Sequence, residues 1–138
     1  MEKNICCGPG FSSPMEAMNA PKEKILYTIA IYTGTGIQKP DYLATIDCDP
    51  ESVDYGKVIH RLEMPGIGDE LHHMGWNACS SCHGNTNLER RYLIVPGVRT
   101  SNLHIVDCKD ERKPKRYLLY HRRGKRSSYE FFVCRGNN

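Results

Sequence analysis

Five short runs of β-branched and aromatic residues, cut apart by turn signals, constrain this chain more than any other feature. Ile25–Tyr32 gives way to Gly34, Gly36 and Pro40, Tyr42–Cys48 stops at Asp49-Pro50, and Lys57–Leu62 stops at Pro65 and Gly66. Tyr92–Val95 ends at Pro96-Gly97, and Leu103–Cys108 is the fifth run. Short strands separated by turns favour an all-β sandwich, barrel or propeller. No apolar stripe with a 3.6-residue period occurs, which argues against a helical protein. Residues 1–22 carry Gly8, Pro9, Gly10, Pro14 and Pro21 and read as a loop-rich lead-in.

Two of the runs echo each other. Tyr42-Leu43-Ala44-Thr45-Ile46-Asp47-Cys48 and Asn102-Leu103-His104-Ile105-Val106-Asp107-Cys108 share Leu, a β-branched residue, Asp and Cys at the same offsets. Each precedes a polar turn and a further β-type stretch. A strand, an Asp turn and a strand, repeated, is the sequence pattern of a propeller blade.

The chain has 138 residues, enough for one ordinary domain. Ile, Val, Leu and Phe make up about a fifth of it, thin for a complete independent core. Charge is split unevenly: residues 1–108 hold 9 Lys/Arg against 13 Asp/Glu, and residues 109–138 hold 10 against 3. The basic character therefore belongs to the tail, where Arg122-Arg123-Gly124-Lys125-Arg126 is densest. A run of this kind is expected to face solvent without a nucleic-acid partner, since a phosphate footprint needs a positioned surface. The N-terminus lacks an apolar signal core, and no apolar run approaches the ~20 residues of a membrane span. The expectation is a soluble intracellular chain without a transmembrane segment, whose seven cysteines are thiols or ligands rather than disulfides.

The chemistry is concentrated between Asp69 and Gly84. His72, His73 and His83, Cys79 and Cys82, Met74 and the single Trp76 all lie there. Imidazole and thiolate are the ligands preferred by zinc and copper. Neighbours such as His72 and His73 point to opposite faces of a regular strand, so they meet one metal only in an irregular loop. Trp76 and Met74 read as packing residues. Cys79-Ser80-Ser81-Cys82 is open to three readings. A redox pair needs a helix N-terminus to acidify a thiol, half a zinc site needs a second pair that is absent, and with His83 the spacing is that of c-type haem attachment. Cys6 and Cys7 are adjacent, which suits free thiols or soft-metal capture. Cys48 and Cys108 close strands and read as buried small hydrophobes.

Several stretches resemble the selenium-binding protein, or methanethiol oxidase, family. They are Cys7-Gly8-Pro9-Gly10-Phe11-Ser12-Ser13-Pro14-Met15-Glu16-Ala17-Met18, Pro40–Asp47, Tyr55–Leu62 and, most specifically, Asp69-Glu70-Leu71-His72-His73-Met74-Gly75-Trp76-Asn77-Ala78-Cys79-Ser80-Ser81-Cys82. The resemblance implies a β-propeller enzyme that oxidises methanethiol with oxygen and water to formaldehyde, hydrogen sulfide and hydrogen peroxide. It implies selenium binding, copper held by histidines that match His72 and His73, and a cytoplasmic location with the nucleus as a second compartment. Cys79, Cys82, Cys6 and Cys7 are the thiol or selenium candidates. Gly56 stands where some vertebrate members carry a selenium-linked cysteine.

Family chains are several times longer, so the expected structure is the N-terminal blades of an incomplete propeller over 1–115. Residues 116–138 are expected to form a divergent, unstructured basic tail. The corresponding functional expectations are a small-molecule thiol substrate with little or no activity in this fragment or, alternatively, a non-catalytic thiol, selenium or metal-binding module.

Overall fold

The computed structural model describes residues 9–120. It is all-β apart from one short helix and one 3₁₀ turn. The strands are β1 Ile25–Ala30, β2 Tyr42–Asp47, β3 Val58–Glu63, β4 Gly75–Trp76, β5 Tyr92–Pro96, β6 Leu103–Asp107 and β7 Lys115–Tyr120. All neighbours are antiparallel, in one sheet ordered β1-β2-β3 and a second ordered β4-β5-β6-β7. All five sequence-predicted strands are present. β4, only two residues long, and β7, rich in Lys, Arg and Tyr, carry too little periodicity to be legible. β7 also runs past the expected boundary at residue 115.

The lead-in segment differs from its reading as loop. Helix α1 spans Pro14–Asn19. Ser13 caps it, its hydroxyl accepting from the Glu16 N–H at 3.2 Å, and Pro14 occupies the first turn, where a missing N–H costs nothing. Pro21 follows directly on its C-cap, Ala20. The helix buries none of its residues, so an apolar stripe could not have announced it.

The internal echo is structural. β2 and β6 hold matching places in their sheets, and both ladders shift register at the same offset, between Thr45 and Ile46 and between Ile105 and Val106. Leu43, Met64, Leu71, Leu93, Val95, Val106 and Cys108 form the core between the sheets, with Tyr27, Ile29, Leu62 and Met74 packed against it. Asp41, 1% exposed, ties three segments together. Its carboxylate accepts from the N–H groups of Tyr32 and Leu71 at 2.9 and 3.0 Å, and its carbonyl from that of Met64. Buried carboxylates persist when several donors replace the lost water, and here they anchor the chain as it crosses from one sheet to the other.

Candidate functional site

The crossing segment from Met64 to Gly75 carries the histidine pair. Leu71 forms an isolated bridge with Gly97, and His72 donates its N–H to the Pro96 carbonyl at 2.9 Å. Glu70 takes a left-handed φ of 51°, so the segment is irregular here, as a shared histidine site requires. Both imidazoles are exposed and meet edge to face, 4.3 Å between centroids. They open onto a hollow of about 490 Å³ walled by Ile29, Ile31, Leu71 and Met74. Two nitrogen donors over an apolar floor suit a soft or borderline metal. Among the described residues, no group of three or more His, Cys, Asp or Glu is placed to hold an ion. Two imidazoles alone fall short of such a group.

Behind the pair lies a polar knot that no motif in the sequence announces. Asp69, 1% exposed, accepts from the Thr100 hydroxyl and from Asn102 Nδ2 at 2.9 Å. Its second oxygen lies 2.8 Å from Nε2 of His104, which is completely buried. Gly97 packs against this knot so closely that a Cβ would stand 3.0 Å from the Asp69 carbonyl oxygen. The Asp69-Glu70-Leu71 backbone is thus fixed immediately before His72. Position 104 corresponds to position 44 in the echo, where Ala stands, and that contrast is the available signal.

Cys79 and Cys82 flank one turn of 3₁₀ helix, Ser80–Cys82, with Cys79 at its N-cap. They differ in state. Cys79 is an exposed free thiol, 2.8 Å from the Ser81 hydroxyl, and that hydrogen bond holds it below the usual thiol range. Cys82 is buried and disulfide-bonded, so it is not the free thiol expected of it, and its partner is not Cys79. A bonded Cys82 also removes the haem reading, which needs both sulfurs. Gly10 packs onto this turn: an added Cβ would stand 2.6 Å from the Ser80 Cα.

Trp76 is less buried than its reading as a packing residue implies, at 36% exposed. It meets Tyr27 edge-on at 5.9 Å across the two sheets, beside a cleft of about 420 Å³ also lined by Met74, Leu93 and Cys108. Cys108 is a buried small hydrophobe as expected, and burial pushes its thiol up to about 11. Cys48 is half-buried. Gly56 has a left-handed φ of 75°, which disfavours a side chain there. Cys6, Cys7 and the basic run 122–126 lie outside the described residues.

The sequence profile of the 56kDa selenium binding protein family matches residues 5–120. The chain belongs to that family. It is 54% identical over 116 residues to selenium-binding protein 1 of Arabidopsis thaliana, covering 81% of this chain and 24% of that one. It is 53% identical over 116 residues to a methanethiol oxidase of Xenopus laevis, covering 83% and 25%. The crystal structure of a hypothetical selenium-binding protein from Sulfolobus tokodaii superposes with a TM-score of 0.76 at 49% identity, over 80% of this chain and 25% of that one. The chain thus spans about a quarter of the selenium-binding relatives it matches. Among the described residues, no helix is long and apolar enough to cross a membrane.

Proposed function

We propose that this chain carries part of the metal centre of a methanethiol-oxidising selenium-binding protein and that on its own it binds copper without turning over thiol. The observation that carries this reading is the edge-to-face His72–His73 pair above an apolar hollow. Oxidation of methanethiol by oxygen and water to formaldehyde, hydrogen sulfide and hydrogen peroxide removes two electrons from the substrate. A bound copper ion supplies the redox chemistry that zinc lacks. The chain's residues have other tasks. His72 and His73 offer nitrogen donors, and the hydrogen bond from His72 N–H to Pro96 fixes their backbone. Ile29, Ile31 and Met74 form a floor that accepts a methylthio group and sheds water. Donors completing the site come from the part of the family fold this chain does not span.

The test is copper titration of the purified 138-residue chain, with metal retention measured after gel filtration. About one copper per chain is expected in the wild type and none with His72→Ala/His73→Ala. Methanethiol should release neither hydrogen sulfide nor hydrogen peroxide with either protein. Equal copper retention by both proteins would exclude the pair as ligands.

One observation favours a second reading, a non-catalytic thiol or selenium-binding module. Cys79 is exposed and acidified while Cys82 is already bonded. Selenite uptake lost with Cys79→Ser, and unaffected by the histidine variants, would support that module instead.

A further inference from the structure

A basic segment of the second sheet meets β3 of the first across a hollow that the histidine pair does not use. The connection from β6 into β7 carries Arg112-Lys113-Pro114-Lys115-Arg116, four cations around one proline. This run sits on a fixed backbone. Pro114 is buried, and its carbonyl accepts from Nε2 of His60, on β3, at 3.2 Å. The Asp110 carboxylate accepts the N–H groups of Arg112 and Lys113, both at 3.2 Å. Arg112 reaches Asp47 of the first sheet at 2.8 Å. Bonds between the sheets therefore position these cations, as a phosphate footprint requires.

The hollow measures about 630 Å³, within the range of small-molecule sites. Strand β3 supplies Val58, Ile59 and His60, and the connection supplies Arg112 and Lys113. Lys57 and Asp54 complete the lining. Two of the three lining cations are matched by carboxylates, Lys57 by Asp54 at 3.3 Å and Arg112 by Asp47. Lys113 has no ion pair among the described residues, and neither have Lys115 and Arg116, exposed just beyond it. Of the acids in the same connection, Asp110 is taken up by backbone N–H groups, and Glu111 lines the separate cleft beside Trp76. The hollow therefore combines surplus positive charge and hydrogen-bond donors with two aliphatic side chains.

We propose that this hollow is an anion site that takes one phosphate group, free or as the phosphomonoester of a small organic molecule. Lys113 supplies an unmatched point charge. The Arg112 guanidinium has five N–H donors, and Asp47 engages one of its amino nitrogens, so directed bonds remain to be made. Val58 and Ile59 offer contact area to the organic body of an ester. His60 acts indirectly, holding the basic run in place through Pro114. A polynucleotide needs a row of phosphate contacts along its backbone, whereas this concave surface is of single-ligand size. Both walls of the hollow are built by this chain, and the site stands apart from the reading of His72 and His73 as copper ligands.

The ¹⁵N-labelled 138-residue chain, titrated with sodium phosphate and separately with phenyl phosphate at an ionic strength held constant with sodium chloride, provides the test. Amide shifts at Val58, Ile59, Arg112 and Lys113 should saturate with either probe. Binding of phenyl phosphate tighter by about threefold or more assigns the site to a phosphomonoester, and equal binding assigns it to free phosphate. Lys113 is exposed and its side chain makes no bond among the described residues, so Lys113→Ala should fold as the wild type does. It should weaken both probes by about threefold or more. Lys109→Ala, on an exposed lysine outside the hollow, should leave both unchanged. If Lys113→Ala does not fold, the shift map of the unaltered chain decides. Shifts that never saturate, that fall evenly on exposed lysines, or that centre on residues 122–126 would overturn the proposal. So would a single-stranded oligonucleotide that binds through residues 112–116 far more tightly than phenyl phosphate at equal salt, because the partner would then be a nucleic acid.

Discussion

Asp47 and Asp107 hold the same place in the two sheets, and each grips an arginine that its own strand does not supply. Arg112 reaches Asp47 at 2.8 Å, and Arg91 reaches Asp107 at 2.6 Å with a second bond at 2.8 Å through Nε. Arg112 lies beyond β6, so its bond to Asp47 ties the second sheet to the first. Arg91 instead fixes the approach to β5 within one sheet.

This pairing sets the acid limit of the fold. Hydrogen bonds from Arg112, the Asp49 N–H and the Ser52 hydroxyl hold Asp47 down at about 2, and Arg91 lowers Asp107. A carboxyl depressed in the folded state stabilises it above the ordinary value of 3.8 and loses that contribution as pH falls through the folded value. Thermal denaturation monitored by circular dichroism should show a steady melting temperature from pH 7 to about 4, then a fall towards pH 2. Asp47→Asn should flatten that fall.

The Asp69 knot should be costly to break. Asp69→Ala strands the donors of Thr100 and Asn102 and deprives buried His104 of its carboxylate, and about 3 kcal/mol or more should be lost in urea denaturation. Thr100→Val removes one donor and should cost about 1 kcal/mol. Equal, small effects would mean that the knot is not what fixes the segment before His72.

The histidine pair should behave oppositely. Both rings are exposed, so His72→Ala/His73→Ala should change stability by less than about 0.5 kcal/mol. Urea denaturation of the double variant should overlay the wild type, which separates loss of copper from loss of fold.

The cysteines should label in a fixed order. Cys79, exposed and acidified by Ser81, should react first with iodoacetamide at neutral pH. Cys108, buried and raised to about 11, should react only on unfolding. Cys82 should label only after reductant. Peptide mass spectrometry along a time course reads all three, and early labelling of Cys82 without reductant would contradict its disulfide.

Legibility follows burial pattern. β2, β5 and β6 are readable because each puts core residues such as Leu43, Leu93 and Val106 inside a β-branched run closed by a turn. β4 is not, because two residues have no period, and β7 is hidden by its charges. Helix α1 is signalled by Ser13-Pro14 and Glu16, a capping pattern outweighed by the surrounding prolines. In the site, adjacency places His72 and His73 together once the loop is irregular. The partnership of Asp69 with Thr100, Asn102 and His104 spans more than thirty positions and depends on how the sheets fold up, which local pattern does not encode.

The matched register shifts at Thr45/Ile46 and Ile105/Val106 make the repeat an interchangeable part. A shift at a common offset keeps each aspartate the same number of residues from the edge-facing strand, so a block cut from one sheet arrives in the other with its side chains on the correct faces. Grafting Tyr42–Cys48 in place of Asn102–Cys108 would replace His104 with Ala and cost the knot, while leaving strand alternation intact. A graft shorter by one residue would turn the strand inside out. For anyone building chimaeras or adding sheets to this scaffold, the aspartate is therefore the point from which to count.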